Sequence, residues 1–131
     1  MRDALCKYLA LNSLTIAEGS LESWTDGDSF PPKSGAAAGA FLETLTEEQR
    51  NIVQFMLADV AGRAVFDVMN LLDGTTDVPD APLGNFHLSF EHWDGDQKGQ
   101  SVDVTSEDAG MLHDDFMEQH MEMLETKGWA E

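Results

Sequence analysis

The sequence has few basic residues and no long apolar run. Its 131 residues include seven Lys or Arg against 25 Asp or Glu, which gives a formal net charge of −18 at pH 7. Such a charge repels nucleic acid and anionic lipid, so we expect neither of them as a partner. No stretch approaches the roughly 20 uninterrupted apolar residues of a membrane span. The composition instead predicts attraction to cationic surfaces.

Cysteine is equally scarce, since Cys6 is the single one in the sequence. One cysteine forms no internal disulfide, which excludes a small secreted scaffold held together by such bonds. Near the N-terminus, Asp3 and Lys7 interrupt the apolar stretch that a signal peptide needs. We therefore expect a soluble, cytoplasmic protein in which Cys6 is a buried small apolar side chain.

Motifs of known reactions are missing as well. The sequence contains no GxSxG elbow, no CxxC pair, no GxxxxGK phosphate loop and no dinucleotide fingerprint. We expect no cofactor and favour a non-enzymatic function. With 25 acids some carboxylates always lie close together, so proximity of acids says little about catalysis.

What the sequence does contain is enough apolar material for a core. Hydrophobic residues make up 42% of the chain, including seven Phe, three Trp and seven Met. This content and length predict a single domain over residues 1–131 whose acids lie on its surface. The predicted fold class is α+β, with a small antiparallel sheet packed against helices.

The N-terminal third gives mixed signals. We predict a short helix over residues 3 to about 17, but Leu14, Thr15 and Ile16 could equally begin a strand. The structure of residues 14–24 therefore stays open. From about 18 to 35 the chain is rich in Gly, Ser, Asp and Pro, which predicts a flexible loop. The Gly-Ala run at 35–39 indicates close backbone packing.

A long central helix has clear start and stop signals. The Thr46-Glu47-Glu48-Gln49 sequence is a capping box, and Gly74 supplies a left-handed stop, so we predict a helix over about 47–73. The polar side of this helix reverses near residues 58–62. Its two halves should therefore bury different faces.

The last third predicts a hairpin and an amphipathic helix. Alternating apolar residues indicate a strand at about 86–93, paired with a second at about 100–104. A helix at about 107–127 follows, capped by Thr105 or Ser106. Its apolar side comprises Leu112, Phe116, Met117, Met123 and Leu124.

Three histidines fall on predicted apolar faces, namely His92, His113 and His120. Such a buried trio could bind zinc or iron with a carboxylate completing the set. However, the seven-residue spacing of the two helical histidines separates them by about 10.5 Å along the axis. Hydrogen-bonded core histidines are therefore the favoured interpretation, and a metal-binding domain or metal-dependent enzyme is the alternative.

The acidity is unevenly distributed along the chain. Segments 1–45, 46–77 and 78–131 carry net charges of about −3, −4 and −11. This skew favours a small acidic interaction protein, similar in size and charge to immunity proteins and inhibitors, that binds a basic protein surface. The residues predicted to contact that partner are Asp94, Asp96, Asp103, Asp114, Asp115, Glu118, Glu122 and Glu125.

Two further interpretations stay open. The charge could serve solubility or adaptation to salt in a globular domain without a specific partner. The chain could also form a homodimer, through the edge of the hairpin or through the Met-rich last helix.

Overall fold

The fold is a small α+β arrangement of four helices and one two-stranded antiparallel sheet among the described residues. The computed structural model describes residues 1–25, 32–75, 86–105 and 110–129, without the side chains of 32–34. In chain order the elements are α1 (Arg2–Thr25), α2 (Pro32–Glu43), α3 (Glu47–Leu72), β1 (Ser89–Asp94), β2 (Gln97–Asp103) and α4 (Leu112–Thr126). Within these ranges no helix has both the length and the apolar character that crossing a membrane requires.

Helix α1 is longer than the sequence predicts. It continues to Thr25, so a strand beginning at residues 14–16 is wrong, and so is the assignment of 18–25 to a loop. The reason lies in burial at helical spacing, because Leu14, Ala17 and Leu21 are all buried on one side. Residues 32–35 likewise belong to α2, and the rest of the predicted loop, 26–31, lies outside the described residues.

The predicted close packing of the Gly-Ala run is confirmed at Gly39 in α2. A Cβ atom built on Gly39 would lie 2.8 Å from the backbone oxygen of Trp24 in α1. Real Cβ atoms do not approach a backbone oxygen so closely, and therefore only glycine fits there. The backbones of the two helices can touch because this side chain is absent.

Local hydrogen bonds set both ends of α3, as predicted. The Thr46 backbone N–H donates to Gln49 Oε1 at 2.9 Å, and the Gln49 N–H donates to Thr46 Oγ1 at 3.3 Å. At the other end Gly74 adopts a φ of 69°, and the Thr75 N–H donates to the Asn70 carbonyl at 3.0 Å. This is the left-handed glycine termination expected from the sequence.

The described chain separates into two compact units. Unit 1 is Met1–Ala10 with Ala64–Glu131, and unit 2 is Leu11–Arg63. Helix α3 passes from one unit to the other after Arg63, close to the predicted reversal of its polar side. Its two halves therefore belong to different packing environments, which agrees with the sequence prediction.

The core of unit 1 draws on both ends of the chain. Its buried members are Cys6, Ala10, Met69, Val104, Leu112 and Phe116. Half-buried apolar side chains surround them, including Leu88 before β1 and the predicted Met117 and Met123 of α4. Because Val104 follows β2 directly, this core holds the base of the hairpin.

Unit 2 is built from helices alone in its described residues. Its buried hydrophobic residues are Leu14, Ala17, Leu21, Leu42 and Ala58. Two of these five are alanines, so little large apolar surface is removed from water here. Several large apolar side chains of the same unit are more than half exposed, among them Ile52, Met56 and Val60 of α3.

Candidate functional site

The β-hairpin of unit 1 stands in solvent on both faces. All residues of β1 and β2 are exposed, including the cross-strand pair Phe90 and Val102 at 39% and 45% exposure. Its base is fixed, since the N–H of buried Val104 donates to the Leu88 carbonyl at 2.7 Å. The hairpin was predicted at about 86–93 and 100–104. Its pairing instead begins at Ser89 and extends closer to the tip, by one residue in β1 and by three in β2.

A two-residue turn and a bulge shape the tip of the hairpin. Gly95 adopts a φ of 59°, which a two-residue turn in an antiparallel hairpin requires. Between Glu91 and Trp93 the register shifts, and there a Cβ on Gly99 would lie 3.2 Å from the His92 backbone oxygen and side chain. Glycine at position 99 therefore lets the strands meet at the bulge.

Three predicted contact acids lie at the two ends of the hairpin. Asp94 and Asp96 flank Gly95 at the tip, and both are exposed. Asp103, at the end of β2, accepts 2.9 Å hydrogen bonds from the N–H and the hydroxyl of Thr105. These bonds stabilise the carboxylate, so the pKa of Asp103 lies below its usual value, with a smaller contribution from His87.

Helix α4 presents the remaining acids as a stripe. Asp114, Glu118, Glu122 and Glu125 are exposed, at spacings of four and three residues along one side. The opposite side buries Leu112, Phe116, His120 and Leu124. The predicted division of this helix into acidic and apolar sides is therefore confirmed for residues 112–126.

Asp115 does not belong to the free acidic surface. The guanidinium of Arg2 donates from Nε to Asp115 and from Nη1 to the Val104 carbonyl, the latter at 3.2 Å. The Arg2 side chain is 12% exposed and the Asp115 side chain 42%, so a partly buried ion pair ties α1, the hairpin base and α4 together. It partly neutralises Asp115, which leaves seven of the eight predicted acids for a partner.

The start of α4 also differs from the prediction. Either Thr105 or Ser106 was expected to cap a helix at about 107, but α4 begins at Leu112 behind Met111, whose side chain makes no capping bond. Residues 106–109 lie outside the described residues. Thr105 is engaged with Asp103 and Leu88 instead. The cap therefore comes from elsewhere in the chain.

Asp73, just after α3, supplies this cap. Its Oδ1 accepts the Leu112 N–H at 2.9 Å, and its Oδ2 accepts the His113 N–H at 2.8 Å. The His113 ring places Nδ1 2.7 Å from the same Oδ2. A carboxylate at a helix N-terminus satisfies two backbone donors and complements the helix dipole. No local sequence signal indicates this role, because Asp73 and its partners are 39 and 40 residues apart.

The three predicted metal-binding histidines have three different environments. His92 is exposed on the hairpin, which contradicts its predicted burial. His113 pairs with Asp73 and meets Phe66 edge to face, and His120 is buried against Phe116 with parallel rings 5.5 Å apart. Over the described ranges, no three or more His, Cys, Asp or Glu side chains converge as metal ligands would.

Cys6 has the environment of an unreactive thiol. It is fully buried, and its Sγ lies 3.8 Å from the Leu112 carbonyl oxygen as a weak donor. Burial, together with the nearby Asp115 carboxylate, raises its pKa to about 11. Since the thiolate is the nucleophilic form, this cysteine is suited to packing rather than to catalysis.

The aromatic side chains of the hairpin region are accessible, including Phe86 and Phe90 on the predicted apolar strand face. Trp93 is 55% exposed, and it shares a strand face with the Glu91–Lys98 ion pair. Phe86 and Met111 are about half exposed and line a cavity of about 370 Å³ beside the hairpin base. Large apolar side chains thus lie directly among the acids of the hairpin.

Comparison with known proteins identifies no relative. No family model matches the sequence, no curated protein is similar to it, and no solved structure matches the fold. The geometry of the hairpin and α4 is therefore the basis for a functional proposal.

Proposed function

We propose that the protein is a non-enzymatic, inhibitor-like interaction protein that binds a basic protein surface with its hairpin and the acidic side of α4. The observation that carries this proposal is the exposure of the hairpin on both faces. A two-stranded sheet that no other element covers is only marginally stable in water. An exposed hairpin therefore lowers the stability of the fold unless a partner binds it. A partner protein that covers the hairpin would offset that loss.

The apolar residues of the hairpin supply the anchor of such a contact. Tryptophan and other aromatic residues are enriched among the residues that dominate binding energy, where they fill pockets of the partner. Trp93, Phe90 and Val102 are 39% to 55% exposed and sit on a base that is fixed in the core. A fixed base limits the entropy lost on binding.

The acids orient the partner and raise the rate of association. Asp94 and Asp96 lie at the tip, next to Trp93, and we propose that the exposed acids of α4 extend the negative surface. Charges of one sign at the rim accelerate encounter with a partner of opposite sign and repel partners of like sign. We accordingly propose a cationic protein as the partner, rather than nucleic acid or a membrane, and the cytoplasm as the place of the encounter.

Affinity capture with paired variants tests this function. Immobilised wild-type protein should retain a basic protein from a lysate of the native host. The variant Trp93→Ala/Asp94→Asn/Asp96→Asn should lose it, whereas the variant Glu43→Gln/Asp67→Asn, with the same change in charge at exposed positions elsewhere, should keep it. Equal loss in both variants would show that the contact follows net charge alone, and full retention by both would show that the hairpin does not make the contact; either result would refute the proposed surface.

The alternative that acidity serves salt adaptation makes a different prediction. In that case the free energy of unfolding should rise markedly up to molar salt, because salt screens the self-repulsion of a chain with a net charge of −18. Urea denaturation at increasing NaCl measures this directly. A strong and continuous rise in stability, combined with no captured partner, would favour adaptation over binding.

A further inference from the structure

An apolar stripe on the first half of α3 lies in solvent. Ile52, Met56 and Val60 are 53%, 58% and 64% exposed. Their four-residue spacing places them on successive turns of one side of the helix. Together they expose on the order of 300 Å² of apolar surface, the size at which a patch commonly marks an interaction site. All three belong to unit 2, away from the hairpin in the chain.

The same stretch of α3 is electrically neutral in a strongly acidic protein. From Glu48 to Arg63 it carries two acids and two arginines, whereas the whole chain carries −18. Two copies of the chain can therefore approach along this stretch without the repulsion that their acidic surfaces would add. A neutral apolar stripe suits contact with a second copy better than contact with a cationic partner.

We propose that this stripe is the contact surface of a homodimer in which two copies of α3 pair antiparallel, with a two-fold axis at Met56. In such an isologous interface a residue and its symmetric counterpart exchange the same contacts. Met56 faces the same residue of the second copy, and Ile52 faces Val60. The stripe is self-complementary in this arrangement because its three apolar side chains are evenly spaced about the centre.

The charges at the ends of the stripe select the antiparallel direction. At 1.5 Å per residue, Arg63 lies about 10.5 Å from Met56 on one side, and Glu48 lies about 12 Å away on the other. Antiparallel pairing brings Arg63 of each copy to within one residue of the level of Glu48 of the other. Arg50 is equally close in level, but Glu48 continues the four-residue spacing of the stripe, whereas Arg50 lies on another side of the helix. Opposite charges therefore meet at the ends of the stripe. Parallel pairing would instead align glutamate with glutamate and arginine with arginine.

Arg63 can take part while keeping its contact within the helix. Its Nε donates to Asp59 Oδ2 at 2.9 Å, and the arginine side chain is 76% exposed. A guanidinium has five N–H donors in a fixed fork, so its terminal nitrogens can serve a second carboxylate. The ion pair inside the helix thereby orients the arginine for the pair between copies.

The size of the stripe predicts a weak dimer. Two copies would remove roughly 600 Å² of apolar surface from water, well below the roughly 1,600 Å² of a standard stable interface. We therefore expect micromolar or weaker dissociation constants. Screening of the overall repulsion should tighten the dimer as salt rises from about 0.05 to 0.5 M.

Sedimentation velocity over a concentration series tests the proposal. The wild-type chain should dimerise, Met56→Asp should raise the dissociation constant at least tenfold, and Val68→Asp, at a 52% exposed position of α3 off the stripe, should leave it unchanged. Circular dichroism verifies that each variant keeps its helices. A monomer at every concentration and salt, or equal loss in both variants, would overturn the proposal.

Two further variant sets test the pairing direction. Glu48→Arg and Arg63→Glu should each weaken the dimer, and the double variant should restore it, because the two charges exchange places. Met56→Cys should form a disulfide between copies on oxidation, while Val68→Cys should not, and buried Cys6 should stay unreactive. Failure of the double variant to restore association would exclude antiparallel pairing. The triple hairpin variant should still dimerise, so the dimer and the proposed function fail independently.

Discussion

Replacing Asp73 with alanine should destabilise unit 1 by about 3 kcal/mol. The carboxylate is 3% exposed and holds the first two N–H groups of α4 together with the His113 ring. Loss of a helix cap alone costs about 1 kcal/mol. Hydrogen bonds to a charged group contribute about 1.5–3 kcal/mol each, and three donors lose their acceptor at once. Because these effects overlap, about 3 kcal/mol is a conservative total.

Asparagine at the same position separates charge from hydrogen bonding. The Asp73→Asn side chain keeps one oxygen for a backbone N–H, while its amide nitrogen faces a second donor. We expect this variant to lose about 2 kcal/mol, including the interaction of the charge with the helix dipole. Asp114→Ala is the matched control, since it removes an acid from the same first turn at a side chain that is 75% exposed. Its effect should be below about 0.5 kcal/mol.

Urea denaturation followed by circular dichroism at the helix band measures these differences. Tryptophan fluorescence provides a second probe, and coincidence of the two curves tests whether unfolding is two-state. A loss of about 3 kcal/mol corresponds to a decrease of about two decades in the folding equilibrium constant. Equal stability of Asp73→Ala and Asp114→Ala would disprove the role of the buried carboxylate in holding α4.

Three other features of the structure lead to further testable predictions. Because burial raises the pKa of Cys6 from 9.0 to about 11, its thiol should react only slowly with iodoacetamide at pH 8. The free energy of unfolding that this thiol contributes should decline as pH rises from 9 to 11. Fast alkylation of the folded protein would contradict the burial of Cys6. Thr105→Val removes the hydroxyl donor and should raise the pKa of Asp103 toward its ordinary value in an NMR titration, while an unchanged pKa would assign the shift to other groups. Gly39→Ala should destabilise the fold by about 1–3 kcal/mol, because the new Cβ meets the Trp24 carbonyl oxygen in α1. Gly19→Ala, with open space around it, should instead stabilise the fold by about 0.5–1 kcal/mol. Equal melting temperatures of the two variants would disprove the close approach of α2 to α1 at Gly39.

Features that depend on neighbours in sequence were predictable. The capping box of Thr46 and Gln49 and the left-handed stop at Gly74 use bonds that span three to five residues. Such contacts form whenever the helix forms, whatever surrounds it. The apolar and acidic sides of α4 were predictable for a similar reason, because helical periodicity fixes which residues share a side.

Features that depend on distant partners were not predictable. Arg2 reaches Asp115 across 113 positions, and nothing in either local sequence indicates the pair. The exposure of His92 depends on whether another element covers the hairpin, which alternation alone does not state. For the same reason Phe90 falls on the apolar face of the predicted strand but is exposed in the structure.

The sign and amount of charge, the identity of most helices and their local ends, and the presence of the hairpin can all be read from the amino-acid sequence. Each of these follows from composition or from contacts within a few residues. The exposure of each acid, the burial of each histidine and the start of α4 depend instead on how the chain folds. Those outcomes depend on side chains such as Asp73 and Arg2 meeting groups far along the chain. Folding brings such groups together, and a contact between residues far apart in the chain leaves no signal in the local sequence around either of them.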